Sequence, residues 1–113
     1  MRVEDLTQIA GRNGVEAGGL ALAQAICREF NWAEIAHEHN PLDDGGICLF
    51  FWHQTSNREL TVFMPPDGRY AFWVCEEEDP LTNDTRDIHT AKNAEPALMR
   101  QWLMTGEAFW ESA

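Results

Sequence analysis

The sequence predicts an α+β domain: a three-stranded antiparallel meander, with room for further strands, packed by an N-terminal and a C-terminal helix. Three observations carry this expectation. Apolar residues between Leu20 and Phe30 recur at helical spacing, whereas Ile47 to Gln54 is β-branched and aromatic and the runs over 60–64 and 69–76 have a period of two. The connections between the later apolar runs are short and rich in turn residues, which joins those runs as hairpins.

Taken in order, residues 3–10 form a short helix ended by Gly11, and a loop holding Gly14, Gly18 and Gly19 follows. Leu20 to Phe30 is the best amphipathic helix, with Leu20, Leu22, Ala23, Ile26, Cys27 and Phe30 on one stripe and Gln24, Arg28 and Glu29 off it. Asn31-Trp32-Ala33-Glu34 has capping-box form and starts another short turn running to His37, which Asn40-Pro41 breaks. Asp43-Asp44-Gly45-Gly46 is turn chemistry.

Strands follow over residues 47–54, 60–64 and 69–76. Thr55-Ser56-Asn57 joins the first pair, and Pro65-Pro66-Asp67-Gly68 joins the second, with proline presetting φ and glycine free to turn the chain. A polar loop comes after Glu76-Glu77-Glu78-Asp79-Pro80. Asn93 then caps a helix over residues 94–105 that Gly106 stops, and Phe109 and Trp110 form a docking tail.

The meander has an unusual composition, because both of its faces are apolar. Ile47, Leu49 and Phe51 alternate with Cys48, Phe50 and Trp52, and Tyr70, Phe72 and Val74 alternate with Ala71, Trp73 and Cys75. A sheet with one face in water alternates between apolar and polar instead. Both faces must therefore be covered or used, and the pattern does not say which one the helices choose. A homodimer through the spare face is one expectation. A small apolar ligand in an aromatic pocket between sheet and helices is another.

Composition narrows the function. The 113 residues fit a single domain over 1–113, and 44% hydrophobic with 24% charged is a globular mix. Nineteen acidic residues against eight basic ones give a formal charge of −11. Seven scattered arginines and the single Lys92 make no basic patch, so nucleic acid and anionic membrane surfaces are poor partners, and the sign favours a basic protein or no electrostatic partner at all. The acidic run Glu76, Glu77, Glu78 and Asp79, with Asp43, Asp44, Asp84 and Asp87 at other turns, supplies a surface for such a partner. Cys27, Cys48 and Cys75 each sit among apolar residues and are expected as buried free thiols. The start Met1-Arg2-Val3-Glu4-Asp5 lacks a signal-peptide core, so a reducing cytoplasmic location is expected.

Motifs with chemistry are few. His37 and His39 could share a metal only in an extended segment, and paired Cys or His ligand spacing is absent, so no metal or other cofactor is expected. No nucleophile elbow or phosphate-cradling glycine loop is present, and no catalytic residue is assigned. Asp84, Asp87 and His89 place carboxylates and an imidazole on one polar segment. With an aromatic pocket, the candidate ligand-binding set is Trp52, His53, Tyr70 and Trp73, with Asp87 and His89 as acid–base groups.

Trp52-His53-Gln54-Thr55-Ser56-Asn57-Arg58-Glu59-Leu60-Thr61-Val62, followed by Pro66-Asp67-Gly68-Arg69-Tyr70, resembles hairpins in small bacterial proteins carried by mobile cassettes, including integron cassettes, and by immunity loci. The resemblance implies a stand-alone α+β accessory protein and brings no catalytic residues with it. The function expected is therefore a non-enzymatic binding module, with a small-ligand binder or small enzyme as the alternative.

Overall fold

The computed structural model describes residues 16–30, 35–53 and 56–107. Helix α1 spans Ala17–Glu29. Strands β1 (Ile35–Pro41), β2 (Ile47–His53), β3 (Arg58–Met64), β4 (Phe72–Glu78) and β5 (Thr85–Lys92) follow, and helix α2 spans Pro96–Thr105. The strands form one sheet in the order β1-β2-β3-β4-β5, antiparallel throughout. The chain is an α+β meander with a helix on either side of the sheet in sequence. The helix expected over 3–10, the segment 31–34 and the tail residues Phe109 and Trp110 lie outside the described residues. Among the described residues no helix is long and apolar enough to cross a membrane.

The three expected strands are the centre of the sheet, β2, β3 and β4, and one strand is added on each side. Ile35 to His37, expected as a helical turn, belongs to β1, where His37 pairs with Phe51 and His39 with Leu49. Tertiary pairing with an apolar neighbour overrides the local capping pattern there. The polar segment 85–92, expected as a loop, is β5 and pairs with β4 across a register shift at Cys75 and Glu76. Thr85, Arg86 and Asp87 are exposed, so this edge strand carries little apolar alternation to reveal it.

Both helices pack on one face of the sheet. The core joins Ala23, Ile26 and Phe30 of the first helical segment to Leu49, Phe51, Val62 and Trp73 of the sheet and to Met99, Trp102 and Leu103 of α2. Phe30 stacks on Phe51 with ring centroids 4.3 Å apart and lies 5.9 Å from Trp73. The layer between sheet and helices, where a ligand pocket is expected, is filled by these side chains. The face chosen is that of Ile47, Leu49 and Phe51.

Helix α1 begins three residues before its expected start, with Gly18 and Gly19 in its first turn rather than in a loop. They permit close approach. A Cβ on Gly18 would lie 2.3 Å from the Asp67 carbonyl oxygen, and one on Gly19 2.7 Å from that of Pro65. The Gly19 N–H donates to the Pro66 carbonyl at 2.8 Å, so the β3–β4 turn satisfies an open donor of the helix. Asn93 does not cap α2, whose N-cap is Glu95. It takes a left-handed φ of 58° and brackets Ala71, donating its N–H to the Ala71 carbonyl and accepting the Ala71 N–H on Oδ1. Gly106, at φ 79°, ends α2 as its position predicts.

Candidate binding surface

Cross-strand neighbours share a face, so the register lays out the side of the sheet away from the helices as three rows. The first runs Asn40, Cys48, Phe63, Phe72, Lys92, and the second Glu38, Phe50, Thr61, Val74, Thr90. The third runs Ala36, Trp52, Glu59, Glu76, Asp87. No described helix packs on this outer face. Phe63 and Phe72, opposite one another, are 39% and 37% exposed, large values for phenylalanine. Phe50 and Trp52 pack ring to ring at 5.3 Å. An aromatic band thus crosses the sheet diagonally from Trp52 to Phe72.

The band ends in carboxylates. Glu59 and Glu76 face each other directly across β3 and β4. Burial pushes the Glu59 carboxyl above its ordinary range, and the charges of Glu76 and Glu78 push it further the same way. Thr61 donates its hydroxyl to Glu76 Oε1 at 3.0 Å, which fixes that carboxylate beside Glu59. Among the described residues no cation stands in that row or pairs with it.

At the other end, an open cleft of about 380 Å³ lies on the outer face between Leu42, Phe63, Tyr70, Phe72 and Lys92. The Lys92 ammonium sits 4.6 Å from the centroid of the Tyr70 ring. A second cleft, about 390 Å³, opens at the β4–β5 hairpin among Glu78, Asp79, Asp84 and Arg86.

The residues singled out from sequence are distributed over this frame rather than gathered. Trp52 and Asp87 share the third row but stand three strands apart, about 14 Å at the usual strand spacing. Trp73 and His89 are on the helix-covered side, where Trp73 is fully buried. His53 pairs with the buried Ile35 on that same side, and Tyr70 lines the first cleft. Of the acidic run, Glu76 and Glu78 reach the outer face, Glu77 alternates away, and Asp79 holds the hairpin turn by accepting the Leu81 N–H at 2.9 Å. The residues that sequence reasoning passed over are Glu59, Phe63 and Lys92. Glu59 and Phe63 are ordinary beside their chain neighbours and gain meaning from their cross-strand partners, and Lys92 from the Tyr70 ring it rests on.

His37 and His39 do lie on an extended segment and point to one side, the condition set for a shared metal. Burial, above all, lowers the His37 pKa, and among the described residues no three His, Cys, Asp or Glu side chains come together as a metal site. The three cysteines are free and buried, with burial raising the thiols of Cys27 and Cys48 to about 11 and that of Cys75 to about 12. All three are protonated, poor nucleophiles at neutral pH. No family model, curated protein or solved structure matches the chain.

Proposed function

We propose that this protein is a non-enzymatic binding module that holds a cationic, partly apolar segment of another protein on the outer face of its sheet. The observation that carries this reading is the pair Glu59 and Glu76, set opposite each other beside Trp52. Like charges directly opposite on a sheet are destabilising. A guanidinium from a partner relieves that repulsion by bridging the two carboxylates and stacks on the neighbouring indole. Apolar side chains flanking it cover Phe50 and Val74. The net charge of −11 favours encounter with such a partner and makes it sensitive to salt.

Self-association through the same face is the competing occupant. Around a two-fold axis along the strands, the acidic row meets itself, with Glu59 near Glu59, and in that arrangement the face suits a cationic chain better than its own copy. The test is binding of peptides in which arginine alternates with leucine, measured beside peptides with glutamate in place of arginine. The expected result is arginine-dependent binding that weakens with salt and is lost in the double variant Glu59→Gln, Glu76→Gln. Equal binding of both peptides, or none by either, overturns the proposal. Native mass spectrometry of the protein alone gives the oligomeric state, and a dimer dissociated by Trp52→Asp assigns the face to self-association instead.

A further inference from the structure

We infer that the cleft around Lys92 is a binding site for a small carboxylic acid with an apolar body. This site lies at the opposite end of the outer face from Glu59 and Glu76 and does not depend on the partner proposed there. Three features of the cleft define the ligand. Phe63 and Phe72, paired across β3 and β4, form an exposed aromatic floor, and Leu42 contributes from the β1–β2 turn. That floor takes an aromatic or aliphatic body. The volume, about 380 Å³, is at the lower end of small-molecule sites and suits a compact molecule.

The third feature is the cation. Lys92 is the only lysine of the chain, and among the described residues it makes no ion pair, although acidic residues are more than twice as numerous as basic ones. Its ammonium rests 4.6 Å from the Tyr70 ring centroid instead. A ring face holds a cation in place without neutralising it, so the full charge stays available to an incoming anion. The nearby basic side chain is otherwise occupied. Arg69, 6.0 Å from the same ring, pairs with Asp67 at 3.4 Å. Asp44 also lines the cleft, with Oδ1 accepting the Gly46 N–H at 2.8 Å. Its charge confines an anionic group to the Lys92 side and orients the ligand.

The probe is 3-phenylpropionate, with its uncharged amide as control, titrated into the full 15N-labelled chain and followed by amide chemical shifts. The acid is expected to shift Phe63, Tyr70, Phe72 and Lys92 and to bind about tenfold or more tightly than the amide. Lys92→Met, which keeps the stem and removes the charge, loses the same factor, and Lys92→Arg retains binding. Equal affinity for acid and amide, shifts centred elsewhere, or no shifts at millimolar acid overturn the inference. The acid–amide comparison is made on the unaltered chain, so it stands whatever the variants do to folding.

Discussion

Arg58, the first residue of β3, donates its Nε hydrogen to the Leu103 carbonyl at 2.9 Å and its Nη2 hydrogen to the Met104 carbonyl at 3.1 Å. A central strand thereby closes the C-terminal end of α2, whose last carbonyls have no partner within the helix. Helix α1 ends in a similar way, because Arg100 Nη1 donates to the Glu29 carbonyl at 3.1 Å and also to the Glu29 carboxylate. Each helix is anchored at its negative end by a guanidinium from elsewhere in the fold. Arg58→Met leaves two carbonyls without their donor, and a loss of about 1.5–3 kcal/mol is expected from the urea midpoint. Arg58→Lys recovers only part of it, since an ammonium cannot reproduce the fork.

Gly18→Ala tests whether packing or propensity governs the start of α1. Helix propensity alone favours alanine by about 1 kcal/mol. The added methyl would instead sit 2.3 Å from the Asp67 carbonyl oxygen, a backbone atom that cannot swing aside. The expected outcome is a destabilisation of about 2 kcal/mol or more, seen as a lower thermal midpoint. A stabilised variant would show that the helix does not rest on the β3–β4 turn.

Trp73 is fully buried, and its indole N–H has no hydrogen-bond partner among the described residues. Phenylalanine removes that unsatisfied donor, worth about 1–3 kcal/mol, while giving up part of the side-chain volume. The two effects oppose each other, so Trp73→Phe is expected within about 1 kcal/mol of the native chain, whereas Trp73→Ala costs about 3–5 kcal/mol. Chemical denaturation of the two variants side by side gives the comparison.

Glu59 supplies a pH-dependent test of the acidic row. Its carboxyl is raised above the ordinary value of 4.5, first by burial and then by Glu76 and Glu78. A carboxyl raised by folding favours the folded state while protonated. That contribution is complete below the unfolded value and is lost as pH rises through the folded one. Glu59→Gln does not titrate there, so it is expected to be more stable than the native chain at neutral pH, by on the order of 0.5 kcal/mol. The difference should shrink in acid. A gap unchanged between acid and neutral pH would sink the idea that Glu59, Glu76 and Glu78 repel one another.

Much of the fold is legible in the sequence because its signals are local. The β-branched and aromatic run from Ile47 to Trp52, the alternation from Leu60 to Met64, the turn at Pro66-Asp67-Gly68, and the Gly106 stop each depend on a few neighbouring residues. The edge strands were not legible, for opposite reasons. β1 carries a helix-start pattern just before it, and β5 is polar because its outer edge meets water.

The sequence by itself determined the α+β class, the apolar character of both sheet faces, the excess of negative charge and the burial of the three thiols. These follow from composition and short-range periodicity, which the chain carries before it folds. Only the tertiary structure decided that the helices cover Leu49 and Phe51 and leave Phe50 and Trp52 on the outer side. It alone set Glu59 against Glu76, and it alone placed Phe63, Phe72 and Lys92 in one row. Antiparallel pairing creates those neighbours, joining residues that are distant in the chain through a register that no single segment specifies.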